Sequence, residues 1–294
     1  MEFASHRAGF IHIVGRPNVG KSTLFNQLVQ YPLSIATAKP QTTRDNIVGI
    51  AQTSHYQAIY VDTPGAMQPC YQLQSVMMKN VKNAFASSDI FLWVIDIRAP
   101  DFDVWLYEQL QKQTAPLFVL LNKTDLVPPE KLTDHIAAWQ QRIGIGKIIP
   151  IHAQAKRQVK SLSQQIIPLL PLHPPYYDKD ALTDRSERFL AAQIIRKSYL
   201  LHYQREIPYS VAIDITAFKD KPHVLVLDAT IYVERLTQKK IIIGKQGRAL
   251  KKVGTDARCA LEGFFKKSVF LTQHVKVLPN WRKKKELLKT LGYH

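Results

Sequence analysis

The sequence predicts a doubly wound α/β domain with a mostly parallel sheet, followed by a smaller α+β domain. Three observations carry this. Near-continuous apolar runs at Phe10–Val14, Asp89–Ile95 and Ala115–Leu121 read as strands covered on both faces. Glycine-rich and polar motifs fall where these runs end, the place where an open α/β sheet holds its ligands. After four prolines within residues 168–175, the chain turns to alternating strands and a strongly basic composition. A domain boundary near residue 174 follows, with domains at 1–173 and 174–294.

The first run delivers Gly15-Arg16-Pro17-Asn18-Val19-Gly20-Lys21-Ser22-Thr23, and Thr23–Val29 continues at helical spacing. Every fixed position of G-x-x-x-x-G-K-[ST] is filled, in the strand–loop–helix context that the motif requires. Glycines let backbone amides turn onto phosphates, and the helix N-terminus adds partial positive charge. Lys21 is expected to reach the β- and γ-phosphates, and the Ser22 hydroxyl to ligate Mg²⁺.

A polar stretch, Lys39–Asp45, precedes a plausible strand at Asn46–Ala51. Its Thr42 and Thr43 suit a nucleotide-sensing loop, in which one hydroxyl binds Mg²⁺ and lets go after hydrolysis. Next, the strand-like Gln57–Val61 presents Asp62-Thr63-Pro64-Gly65. A carboxylate there can hold Mg²⁺ through a water, and the Gly65 amide can sense the γ-phosphate.

The third apolar run leads into Asn122-Lys123-Thr124-Asp125, the chemistry of guanine selection. Asp125 can accept from guanine N1–H and the exocyclic amine; adenine lacks that donor pair and would leave the carboxylate unpaired. Lys123 would lie along the base, and Asn122 would tie this loop to the phosphate loop. Ile148–His152 reads as the last strand, with the Ala153 amide placed to meet guanine O6.

Charge is uneven. Residues 1–173 carry a net +5 and residues 174–294 a net +12, the mark of a polyanion binder. No run approaches the ~18 uncharged apolar residues of a membrane span. Met1 to Gly9 has no secretory pattern, and Cys70 and Cys259 match no metal spacing, so a reducing cytoplasm is expected. In the second half, Thr183 reads as a helix cap, with Ser186 and Glu187 in the first turn. Tyr209–Ala217, Val224–Val233 and Ser268–Val277 read as strands, and Trp281–Lys289 as a basic helix. Gly244-Lys245-Gln246-Gly247 lies between the strand-like Ile241-Ile242-Ile243 and a helix, and matches the backbone clamp of a KH domain. Two glycines admit the sugar-phosphate chain, Lys245 and Arg248 supply charge, and Ile242 with Ile243 is expected to floor the bases.

In order and spacing these motifs resemble the translation-factor-related GTPases, and more narrowly the Era family. Pro17-Asn18 in the phosphate loop, Gln41-Thr42-Thr43-Arg44, Thr183–Phe189, Ile207–Val211 and the GxxG loop carry the narrower match. The resemblance spans about Gly9 to the C-terminus. It implies a P-loop GTPase domain with a type II KH domain. Switch I would be Gln41 to Arg44 and switch II Asp62 to Ala66. Mg²⁺ would sit on Ser22, Thr42 or Thr43, and Asp62. It also implies a K⁺ at Asn18, which would make hydrolysis faster in K⁺ than in Na⁺. Two departures stand out. Ala66 occupies the place of a water-orienting glutamine, so slow intrinsic hydrolysis is expected. The last guanine loop reads His152-Ala153-Gln154-Ala155-Lys156 where the family pattern is Ser-Ala-x-x-Gly.

The resemblance implies a cytoplasmic, monomeric, nucleotide-switched assembly factor for the small (30S) ribosomal subunit, binding GTP or GDP and the 3′ region of the subunit's RNA. The alternative is a regulatory GTPase on the inner-membrane surface, its basic half on anionic lipid. A tRNA-modification GTPase is disfavoured, because no further catalytic domain accompanies the module.

Overall fold

The computed structural model describes residues 5–293. The reading of Met1 to Gly9 therefore lies partly outside the described residues. By packing, the chain forms two units. One comprises the residues up to Gln68 with Met77–Asp184; the other comprises Pro69–Val76 and the residues from Arg185 onward.

The first unit runs β1 (Arg7–Val14), α1 (Lys21–Val29), β2 (Ile47–Gln52) and β3 (Tyr56–Asp62). α2 (Gln72–Ala84) begins in the segment grouped with the second unit and ends in the first, which continues with β4 (Ile90–Asp96), α3 (Val104–Gln111), β5 (Leu117–Asn122), α4 (Pro129–Arg142), β6 (Lys147–Ile151) and α5 (Lys156–Ile166). Its six strands lie in the order β2-β3-β1-β4-β5-β6. Every pairing is parallel except β2 with β3. Ile11, Ile13, Phe91, Trp93, Val119 and Leu121 are buried within it, as the continuous apolar runs require. The order reverses at β1, and the carboxyl ends of β1, β3, β5 and β6 carry the predicted motifs.

His12 on β1 is 4% exposed, and its Nδ1 has no partner. Burial holds its pKa down to about 4. The folded chain therefore keeps a neutral imidazole that the unfolded chain protonates below ~6.5. Stability is intact above that pH and falls as pH drops toward 4, by about 3 kcal/mol at most. Urea midpoints at pH 7 and 4.5 should fall less in His12→Leu than in the parent.

The prolines at 168–175 do not free the chain. The amides of Tyr176 and Tyr177 donate to the buried Gln57 Oε1 at 2.8 and 3.0 Å. The Ile50 amide donates to the Leu182 carbonyl at 2.9 Å. The division between units thus falls after Asp184 instead of near 174. Thr183 is not a helix cap: its hydroxyl donates to the Val48 carbonyl at 2.6 Å, and Ser186 caps the following helix by accepting from the Phe189 amide at 3.3 Å.

The second unit runs α6 (Glu187–His202), α7 (Ile207–Ser210), β7 (Ala212–Asp220), β8 (Val224–Val233), α8 (Leu236–Ile243), α9 (Arg248–Phe265), β9 (Ser268–Val277) and α10 (Lys285–Thr290). Its sheet is β7-β8-β9, antiparallel then parallel. Ala191, Ile195 and Tyr199 of α6 pack with Leu227, Ala229 and Ile231 of β8 and with Val253, Ala257 and Leu261 of α9. Two sequence readings are corrected here. Tyr209–Val211 precedes β7, because Pro208 opens a short helix. Ile241–Ile243 closes α8 and is no strand. Its β-branched composition mimics one, but the Gln238 side chain accepts from the Glu234 and Arg235 amides and starts a helix ahead of it. The C-terminal basic helix is also shorter than read. Trp281 lies before it, fully buried, its Nε1 donating to the Ser210 carbonyl at 2.9 Å.

Candidate nucleotide site and RNA clamp

The phosphate loop leaves β1 and enters α1, around a cavity of about 470 Å³ lined by Gly20, Lys21, Ser22, Thr43, Gly65 and Lys123 among others. Lys21 is 6% exposed, its ammonium donating to the Gly15 and Arg16 carbonyls at 3.1 and 2.9 Å. Burial lowers its pKa to about 8 against the pull of the Asp62 charge. The lysine is thus folded back into its own loop, which supplies the carbonyls that orient it.

Beside Lys21, three hydroxyls converge on one carboxylate oxygen. Asp62 Oδ2 accepts from Ser22 Oγ at 2.6 Å, Ser34 Oγ at 2.6 Å and Thr43 Oγ1 at 3.3 Å. Ser22 and Thr43 are themselves 3.0 Å apart. Asp62 is fully buried, and its Oδ1 has no hydrogen-bond partner. Burial raises its pKa, opposed by Lys21 and by the three hydroxyls. An orphaned oxygen on a buried carboxylate ringed by hydroxyls is the donor set of a hard divalent cation holding waters. The residues fit. Of the two threonines, Thr43 is the one on Asp62; the Thr42 hydroxyl donates to the Lys39 carbonyl at 2.7 Å. Ser34 carries no sequence signal and was missed.

Gly65 approaches the phosphate loop so closely that a Cβ there would lie 2.6 Å from the Pro17 nitrogen. Only glycine permits that approach, and it sets the Gly65 amide beside the cavity. Ala66 is buried, its amide donating to the Gly15 carbonyl at 3.0 Å. Its methyl therefore faces the core. Thr63 is also buried, donating to the Ile13 carbonyl at 2.8 Å. Gln41 lines the cavity, whereas Arg44 is buried, 3% exposed. The exposed Asn18 amide donates to the Ala38 carbonyl at 2.9 Å, joining the phosphate loop to the segment before Gln41.

The Asn122–Asp125 loop is tied to the phosphate loop. Asn122, 2% exposed, donates to the Val19 carbonyl at 2.8 Å and accepts from the Ala153 amide at 2.9 Å. One side chain thereby joins three loops. Lys123 adopts φ 66° and donates to the Asn18 carbonyl at 2.7 Å. It also pairs with Asp96 at 2.9 Å. Burial opposes ionisation of Asp96, yet bonds from Arg98 and Lys123 hold its carboxyl down at about 2. Asp96 was not singled out from sequence, although its place at the end of a central strand could have flagged it. Asp125 lies in the 3₁₀ turn Thr124–Leu126 and faces out.

In the second unit, GxxG joins α8 to α9. Gly247 has φ 75°, with open space where a side chain would stand. Lys245, Gln246 and Arg248 are exposed. This is a backbone turn with charge around it, as a phosphate clamp needs. Ile242 is not part of a base floor. It is fully buried in the unit's core, and only the half-buried Ile243 keeps a face outward. A helix turns its third residue in from its fourth, a distinction that a strand reading does not make.

Comparison with known proteins now bears on identity. The family described as "50S ribosome-binding GTPase" matches residues 10–123, and the KH domain family matches residues 206–282. GTPase Era of Thermoanaerobacter sp. strain X514 is 38% identical over 98% of this chain and 97% of its own. The chain belongs to the Era family of GTPases. Era of Clostridium kluyveri is 39% identical over 98% of this chain and 99% of its own. Among solved structures, an Era in complex with MgGDPNP and nucleotides 1506–1542 of 16S ribosomal RNA superposes with a TM-score of 0.93. It is 34% identical and covers 98% of this chain. A variant Aquifex aeolicus Era bound to GDP and AlF4⁻ superposes at 0.92. As a member of this family, the chain hydrolyses GTP to GDP and phosphate, on a P-loop GTPase fold followed by a KH domain.

Proposed function

We propose that this Era-family chain is a nucleotide-switched RNA-binding factor for assembly of the small ribosomal subunit, its KH unit holding the 3′ region of the small-subunit RNA. The observation that carries the reading is the GxxG turn, with its left-handed Gly247 and exposed Lys245 and Arg248, in a half of the chain with net charge +12. The relative bound to 16S RNA supports the small subunit over the 50S of the family description. Ser22, Thr43 and Asp62 would hold Mg²⁺, which would supply positive charge to the transferring phosphoryl group. The chain's residues do the rest. Lys21 swings from its loop carbonyls to the phosphates, the Gly65 amide donates to the γ-phosphate, and Asn122 aligns Asp125 with the base. Without a side-chain amide at Ala66, water is oriented by backbone alone, and turnover is slow. Asn18 would hold a K⁺, which would supply positive charge to the same phosphoryl group. GTP favours RNA engagement and hydrolysis releases it, in a cytoplasmic monomer.

The test is binding of an oligoribonucleotide copying the 3′ tail, with a non-hydrolysable GTP analogue and with GDP. Gly247→Asp keeps the fold, since nothing crowds the position. It strains the left-handed turn and sets a negative charge against phosphate, so affinity should drop about a hundredfold. Binding that is indifferent to nucleotide would sink the switch. Salt-sensitive binding to anionic vesicles without RNA competition would favour the inner-membrane surface instead, although no helix among the described residues is long and apolar enough to cross a membrane.

A further inference from the structure

His152 stands directly after β6, where the family pattern has serine, and its imidazole Nε2 lies 3.7 Å from Asp125 Oδ1. Its backbone is fixed, the amide donating to Gln158 Oε1 at 2.7 Å. Its neighbour Ala153 is tied to Asn122. The other cations of this corner are engaged elsewhere. Lys123 is held by Asp96 and the Asn18 carbonyl, and Arg98 by Asp96 at 2.9 Å, so that Arg98 feels Asp125 only through space. Asp125 itself sits on a single 3₁₀ turn with its side chain 37% exposed, a poor support for a group that must meet two donors on one rigid base edge.

We propose that His152 is a positioning residue for base selection, donating from Nε2–H to Asp125 Oδ1 and so fixing the carboxylate in the plane of the incoming guanine. This rests on the reading of Asp125 as the group that contacts the base. A carboxylate offers about four lone-pair directions, and guanine uses two of them, which leaves Oδ1 free to accept from the histidine as well. The donor is present in one neutral tautomer and in the imidazolium, so the role does not depend on protonation. At 3.7 Å the two groups are neighbours and not yet hydrogen-bonded, so the contact has to shorten when the base is bound. A serine is too short to reach the same oxygen as a second support; the histidine gives this chain a side-chain brace where its loop lacks the glycine of the family pattern.

The experiment compares GDP with inosine diphosphate, which keeps N1–H but lacks the exocyclic amine. A carboxylate out of plane loses the second bond first. In His152→Ala, the preference for GDP over inosine diphosphate should shrink about fivefold, the worth of one partly exposed polar contact. His152→Gln, which restores an N–H donor, should recover most of it. Equal weakening of both ligands, or no change in either, would overturn the proposal, as would loss of preference in His152→Gln as large as in the alanine variant. Thermal melts of both variants establish that they are folded. Asp125→Ala serves as the control for the underlying reading: should it keep the parent's preference, Asp125 does not contact the base, whatever His152 does.

Discussion

Asp62→Asn is expected to hydrolyse GTP about a thousandfold more slowly than the parent, while its melting temperature stays close to the parent's. The carboxylate is fully buried, and its largest perturbation is the burial that opposes its charge. An asparagine keeps the shape and still offers one oxygen to Ser22, Ser34 and Thr43. It removes a charge whose burial is only partly offset by Lys21 and the three hydroxyls, and the relief from burial balances the partner that Lys21 loses. What it cannot do is offer a negative oxygen to a divalent cation through the position of Oδ1, which has no protein partner. Single-turnover hydrolysis at saturating Mg²⁺ and a thermal melt decide the matter together. A variant that loses activity and melting temperature alike would mean that Asp62 is structural.

Asp125→Asn is expected to bind GDP about a thousandfold more weakly and to gain xanthosine diphosphate in exchange. The amide presents an N–H to the guanine amine, donor against donor, and leaves both unpaired. Xanthine carries a carbonyl at that position, and the same amide satisfies it. Asp125 is exposed and capped on neither side by core residues, so the substitution leaves the fold intact. Competition binding with the two diphosphates reads the exchange directly. A variant that weakens both equally would show that the loop, not the carboxylate, reads the base.

The nucleotide site was legible because its chemistry is local. Phosphate loop, Asp62 and Asn122–Asp125 each sit within a few residues of a strand end, and the strands were readable as apolar runs. What was hidden depends on distant parts of the chain. Ser34 joins Asp62 across 28 positions, and nothing in Pro32-Leu33-Ser34-Ile35 marks it. Thr42 and Thr43 have identical chemistry, and only the folded loop turns one toward Asp62 and the other back to Lys39. In the second unit, Ile241–Ile243 looked like a strand because β-branched residues favour strands, yet the Gln238 cap and the packing of Ile242 override that preference. The same override removed Ile242 from the surface. Thr183 had the chemistry of a cap and was used instead to bind a strand carbonyl.

β2 ends the six-stranded sheet, and a bare edge of this kind recruits strands from other molecules. Here the edge is dressed from within. Leu182 and Thr183 take the outward N–H of Ile50 and the C=O of Val48, and Gln52 donates to the Lys179 carbonyl at 2.6 Å. Tyr177 and Ala181 pack over Val48, Ile50, Ile59 and Val61. The stretch 177–183 is therefore the guard against intermolecular strand pairing. A GTPase fragment trimmed at residue 173 loses that guard and exposes a sticky edge, whereas one carried through Asp184 keeps it.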